Sequence, residues 1–211
     1  MSDKSNKYGY VGVDIPAQSF GNNKGVFNPA EINDLVADNK WTSFGQLELI
    51  ETQTVTSVTN IDFTDIKQDI YNVHFMTITA SQNVANENVS IRFFENGTVQ
   101  SGTYYQWALQ NGGADGTFSE SKSTTGTRVI GTRFADSGDP LTSYQYFYNL
   151  GDSTKYSFQT MHSVVDHSGV FEMRFGSGVM SRTTEVDGIR AYQNTGDQIT
   201  GTFSLYGIRY S

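Results

Sequence analysis

The sequence predicts an all-β protein: a jelly-roll-like β-sandwich preceded by an extended arm and one short helix. Its 211 residues include 14 Phe, 12 Tyr and 21 Gly, the mixture of strand formers and turn formers that many short strands require. Beyond residue 46, runs of alternating or β-branched residues recur between the turn clusters ADSGDP, LGDST, DHSG and NTGDQ, the pattern of a sandwich or barrel. A convincing helical pattern occurs in one stretch, GVFNPAEINDLVADNKW (residues 25–41). The expected organisation is therefore an arm and helix over residues 1–45 and a β domain over residues 46–211.

The first 24 residues are polar, with scattered Tyr8, Tyr10 and Phe20, and read as an extended arm. The helix follows. Asn28 is a preferred N-cap, Pro29 suits the first helical position, and Glu31 at N3 completes a capping box. Ile32, Leu35 and Val36 then share one face at i, i+3, i+4, onto which Phe27 can staple. Two to three turns are too short to stand alone. The apolar face, extended by Trp41 and Phe44, must pack either on a neighbouring subunit or over one end of its own sandwich.

From Gln46 the period changes. LELIETQTVTSV (47–58) alternates, and IDFTDI (61–66) is a short run. In YNVHFMTITA (71–80), Val73, Phe75 and Thr77 fall on one face and His74, Met76 and Ile78 on the other; two partly apolar faces indicate a central strand between layers or subunits. VSIRFFENGTVQSGTYYQWAL (89–109) reads as a hairpin around Asn96-Gly97, the preferred type I′ dipeptide. QNGGADGTFSESKSTTG (110–126) is Gly- and Ser-rich and reads as a loop. Strands are then expected over 127–134, 144–150, 155–162, 169–175, 186–193 and 199–210, the last with a bulge at Gly207.

Composition narrows the function. The formal charge is -8 and the pI about 4.7; without a basic face, nucleic acid is not an expected partner. The chain has no cysteine, which excludes disulfides and thiolate chemistry. MSDKSNKYGY lacks the apolar core of a signal peptide, and no stretch approaches the ~20 apolar residues of a membrane span, so synthesis in a cytoplasm without membrane insertion is expected.

The best candidate for catalysis is EVDGIR (185–190). On a strand, Glu185 and Asp187 share a face, as in the E-x-D-x-x-E pattern of some jelly-roll glycosidases, which need a nucleophile and an acid. Arg190 stands where the last acid belongs, so the expectation is a solvent-facing strand with a Glu/Arg pair and no enzyme. His74, His162 and His167 match no metal motif; HSVVDH (162–167) reads as turn pairing, and no metal or cofactor is expected. DSGD and GDST could accept Ca²⁺ through loop oxygens, but turn chemistry explains them equally well, so no ion is assigned.

The aromatics are more informative. In SYQYFYNL (143–150), Tyr144, Tyr146 and Tyr148 form a ladder on one sheet face, and TYYQW adds Tyr104, Tyr105 and Trp107. Such rings can stack on sugars, line a subunit interface or fill a core. The sequence leaves these three open.

Seven strings extend the reading: YVGVDIPAQSFGNNKGVFNPAEINDLVADNKW, GQLELIETQTV, YNVHFMTI, YFYNLGDSTKYSF, FGSGVM, VDGIR and SLYGIRYS. Together they resemble a group of tailed-phage virion proteins, found especially among marine and cyanobacterial phages and described as structural, tail-fibre-like or decoration-like. The resemblance runs from Tyr8 to Ser211 and brings no catalytic residues. It implies a jelly-roll-like domain carried on a virion, other virion proteins as partners, and a homo-oligomer, with a trimer as the common fibre solution. The expected function is a non-enzymatic capsid decoration or tail/neck fibre component. Ile32, Leu35, Val36 and Trp41 would dock it, and Tyr144, Tyr146, Tyr148 and Trp107 would form an interface or a site for host surface glycan. The alternative is a lectin-like module.

Overall fold

The computed structural model describes residues 29–37, 47–83, 87–133, 137–138, 140–167 and 169–208. They fall into two units, one holding the helix and the other every strand. Helix α1 (Pro29–Ala37) starts with proline at its first position, where the missing N–H costs nothing. Ile32 and Leu35 are half-buried. Asn28, Trp41 and the side chain of Val36 lie outside the described residues.

The second unit is an antiparallel sandwich. Its strands are β1 (Leu47–Val58), β2 (Asn60–Phe63), β3 (Val73–Gln82), β4 (Asn88–Glu95), β5 (Thr98–Val99), β6 (Tyr105–Gly113), β7 (Phe118–Gly126), β8 (Val129–Arg133), β9 (Leu141–Tyr148), β10 (Ser157–His167), β11 (Val170–Met180), β12 (Gly188–Gln193) and β13 (Ile199–Ile208). Eight form one sheet in the order β1-β13-β3-β9-β10-β11-β6-β7. The second sheet runs β2-β12-β4-β5, with β8 also pairing β4. The all-β sandwich expected from the sequence is thus present. The chain changes sheet repeatedly, and the β9-β10-β11 meander and the β6-β7 hairpin widen the larger sheet.

Between the sheets lies one core, with Phe63, Met76, Ile78, Ile91, Phe93, Tyr105, Phe147, Ile189, Phe203 and Leu205 among its members. Tyr105 is fully buried, and its hydroxyl links two segments, accepting from the Phe93 amide at 3.1 Å and donating to the Gln100 carbonyl at 3.0 Å. His74 is buried as well, with Nε2 2.7 Å from the Ile66 carbonyl. That carbonyl only accepts, so Nε2 carries the proton, and burial lowers the pKa of the ring below 6.5.

Four expectations need correction. Residues 110–126 are not a loop: they complete β6 and form β7, a hairpin turned by residues 114–117. The sequence signal was weak because β7 is an edge strand, exposed along most of its length, and such strands are kept polar. Residues 89–109 are not one hairpin either. Asn96 and Gly97 have φ of 49° and 69°, as a type I′ turn requires, but the returning arm β5 has only two residues, and β6 belongs to the other sheet. Gly207 is not a bulge: β13 pairs β3 without a register shift, and the irregularities lie in β1, between Leu49 and Glu51 and between Val55 and Val58. Glycine is needed at 207 because a Cβ would come 2.3 Å from the Tyr71 ring. HSVVDH, finally, is strand rather than turn, since it closes β10; only Asp166 serves the following turn, accepting from the Gly169 amide.

Gly176 and Gly178 of β11 are equally constrained. A Cβ on Gly176 would lie 2.6 Å from Leu109 Cβ, and one on Gly178 2.3 Å from Val129 Cγ1.

Candidate interaction face

Strand register decides which side chains share a face, because paired residues project to the same side. The outer face of the eight-stranded sheet can therefore be read row by row. One row across six strands is Leu49, Tyr206, Phe75, Tyr146, Thr160 and Ser177. On one side of it lies Ile208, Val73, Tyr148, Phe158 and Val179; on the other, Ser204, Thr77, Tyr144, His162 and Phe175.

The ladder expected from the sequence is on this face. Tyr144 is 44% exposed, while Tyr146 and Tyr148 are half-buried by their neighbours. Centroids are 6.2 Å apart for Tyr144–Tyr146 and 6.4 Å for Tyr146–Tyr148. Phe75 lies 4.8 Å from Tyr146 and 6.1 Å from Tyr206, and His162 meets Tyr144 edge-on at 5.5 Å. Tyr144, Tyr146, Tyr148, Thr160, His162 and Phe175 line a shallow, open depression. Leu49, Phe158 and Phe175 are exposed by 60%, 42% and 45%.

Trp107 does not belong with them. It sits on the inner side of β6, against the core and against Leu109, Ile130 and Met161, so its assignment to the Tyr face is corrected. Tyr104 is covered instead by the Arg182 guanidinium, 4.6 Å from its ring.

Two further properties define the face. First, the polarity of β11 is inverted and that of β10 is mixed. Their inner positions carry Ser157, Gln159, Ser163, Glu172, Arg174, Gly176 and Gly178 beside the buried Met161, Val165 and Met180, while their outer ones carry Phe158, Val164, Phe171, Met173, Phe175 and Val179 beside Thr160, His162, Asp166 and Ser177. The buried Gln159 amide donates to buried Gln145 Oε1 at 2.8 Å. Arg174 is held by Asn111 at 2.5 Å and Asn88 at 2.6 Å, and burial depresses its pKa to about 10. An ordinary half-wet strand places these classes the other way round. Second, across the described residues of β1, β13, β3, β9, β10 and β11, the outer face bears no Lys, Arg or Glu, and its one Asp, Asp166, stands at the end of β10. The hydroxyls near one end bond each other, Thr52 to Ser204 at 2.9 Å and Thr54 to Thr202 at 3.1 Å.

The carboxylates of EVDGIR form no such site. Glu185 and Asp187 precede β12 rather than lying on it. Glu185 accepts from Gln68 at 3.0 Å, and Asp187 from the Gly97 amide at 2.7 Å. Arg190 pairs with Asp62 in a fork of two 2.6 Å bonds, not with Glu185. Among the described residues no group of three or more His, Asp or Glu is placed to hold a metal.

Sequence reasoning found the Tyr ladder but missed Phe75, Tyr206, Phe158 and Phe175 as its partners, because they come from other strands. The alternation in VFEMRFGSGVM, with Phe171, Met173 and Phe175 opposite Glu172, Arg174 and Gly176, was the available signal.

No protein-family model and no curated protein matches the chain. Among solved structures, a protein of unknown function from Shewanella oneidensis MR-1 is 10% identical with a TM-score of 0.19, covering 89% of this chain and 98% of that one. A fructofuranosidase variant from Schwanniomyces occidentalis, complexed with fructosylnystose, is 6% identical with a TM-score of 0.17, covering 78% of this chain and 34% of that one. Superpositions at this level imply neither a shared fold nor a shared activity.

Proposed function

We propose that the chain is a non-enzymatic structural protein of a tailed-phage particle, a capsid decoration or tail/neck fibre component. In this reading its arm and helix attach it to other virion proteins, while its jelly-roll-like sandwich supplies a binding surface. The resemblance of seven strings across the sequence gives the particle. The observation that carries the mechanical role is the outer sheet face over β1, β13, β3, β9, β10 and β11, aromatic and nearly free of charge. Aromatic enrichment with charge depletion is the composition of an interface centre.

Electron microscopy of intact particles labelled with antibody against the purified chain tests this. Label on heads or on tails supports the reading, and unlabelled particles overturn it. The docking half is tested by Leu35→Asp, which places a charge on the helix's apolar stripe. The variant is expected to keep the far-UV spectrum of the sandwich and to be missing from purified particles; its normal incorporation would refute docking by the helix.

A second reading is a lectin-like module for host surface glycan, favoured by the open depression beside Tyr144, Tyr146 and Tyr148. Binding on a glycan array that Tyr144→Ala abolishes would support it.

A further inference from the structure

We propose that the outer face of β1, β13, β3, β9, β10 and β11 is covered by the same face of a second copy of this chain, in a two-fold pair, with Glu120 and Lys122 of β7 at its border. The proposal deepens the binding role of that face and does not depend on where the protein resides.

The outward phenylalanines of β10 and β11 provide the first argument. Phe158, Phe171 and Phe175 point away from the core while Gln159, Glu172 and Arg174 point toward it. Apolar burial is what drives strand placement. Strands that spend their apolar residues outward are accounted for if that side is buried too. Phe171 and Phe175 are about half exposed in the single chain, at 51% and 45%.

Area provides the second. Six strands about 4.8 Å apart, over eight residues of about 3.3 Å each, give a face of roughly 750 Å². A stable pair buries about 800 Å² per partner. The face is therefore large enough, without further elements, and two sheets stacked face to face about 10 Å apart are an ordinary packing.

Chemistry selects the occupant. An anionic membrane would require a basic rim; the six strands carry no outward Lys or Arg, and Lys122, outward on neighbouring β7, is paired with Glu120. A glycan requires polar groups converging on the rings. Here the ladder's neighbours are Phe75, Phe175, His162 and threonines, and Thr52 and Thr54 already bond Ser204 and Thr202. A charged protein surface would bury ions with nothing opposite them. The one surface certain to be equally uncharged and aromatic is the same face on another copy, and a patch that matches itself closes with two-fold symmetry. The trimer expected from the sequence would need two different patches or only part of this one.

The test is sedimentation velocity and equilibrium on the full-length purified chain, from about 1 to 100 µM. The wild type is expected to be a dimer that dissociates on dilution. Tyr144→Arg and Phe175→Arg, made separately at exposed positions, are each expected to weaken it at least about thirty-fold with an unchanged circular dichroism spectrum. Added salt should tighten the pair, because two chains of charge -8 repel each other and no ion pair is needed to hold them. A wild-type monomer at about 100 µM overturns the proposal. So does a trimer, a dimer that both arginine variants leave intact while folded, or one that salt dissociates. A monomer that binds an arrayed glycan in a Tyr144-dependent way would give the face to the lectin reading instead. Each result stands whether or not the chain is found on particles.

Discussion

The buried amide pair of β9 and β10 gives the sharpest test of the polar groups on the sheet's inner side. Gln145 is 0% and Gln159 1% exposed. One 2.8 Å bond joins Gln159 Nε2 to Gln145 Oε1, while Gln145 Nε2 and Gln159 Oε1 have no protein partner. Gln159→Met removes the donor and leaves a whole amide stranded at Gln145, which costs about 1–3 kcal/mol. Gln145→Met does the same to Gln159. The double variant keeps side-chain volume and removes both amides, so it should be neutral or more stable than wild type. The signature is a non-additive cycle: two destabilising singles and a double that cancels them. With about 2–4 °C per kcal/mol for a domain of this size, the singles should melt about 2–12 °C below wild type. Urea and thermal unfolding at fixed protein concentration measure this, the concentration being held because dimerisation shifts the midpoint. Singles within about 0.5 kcal/mol of wild type, or a double less stable than either, would refute the assignment of both amides to the sandwich interior.

Two further outcomes follow from local geometry. His74 has a lowered pKa because burial opposes its charge. The unfolded chain therefore binds a proton that the native ring resists, so the contribution is fully present above pH 6.5 and is lost as the pH falls through and below that value; wild type should lose more urea resistance than His74→Gln between about pH 7.5 and 5.5, and parallel profiles would contradict this. Gly207→Ala and Gly97→Ala separate two uses of glycine: the first drives a Cβ to 2.3 Å from the Tyr71 ring, whereas the second meets nothing within 4 Å and bears only the cost of its φ of 69°. Expected losses are about 1–3 kcal/mol from overpacking and about 1–2 kcal/mol from the left-handed backbone, and only the first should depend on the ring at position 71 in a double-mutant cycle.

Legibility from the sequence followed the physics of each segment. The core strands were visible because one of their faces is dry. Phe203 and Leu205 alternate with polar residues, and their alternation in β13 matches the structure. The Asn96-Gly97 turn was visible because two consecutive positive φ angles demand that dipeptide. By contrast, β7 offers no apolar period, since an exposed edge strand has no dry face to record. The Tyr ladder is local to one strand and could be read; its cross-strand partners depend on register, which is set by contacts between distant segments. Trp107 was misassigned because period two specifies that residues share a side, not whether that side is wet. The same ambiguity concealed the inversion of β11.

Strands with apolar residues on one side and small polar residues on the other are exposed to slippage: sliding β11 by one position against β6 would turn Phe175 inward and Gly176 outward, a gain in burial that the polarity pattern opposes only through the loss of Met180 from the core and of the Arg174 bonds to Asn111 and Asn88. The two glycines oppose it. Leu109 and Val129 leave room for no side chain at positions 176 and 178, so a shifted strand would drive Phe175 or Ser177 into occupied space. The Asp166–Gly169 bond fixes the other end of the β10-β11 hairpin, where Gly169 turns at φ of 81°. These glycines act as steric keys. They exclude the wrong alignment during folding, which allows an aromatic surface to be built outward without being drawn into the interior.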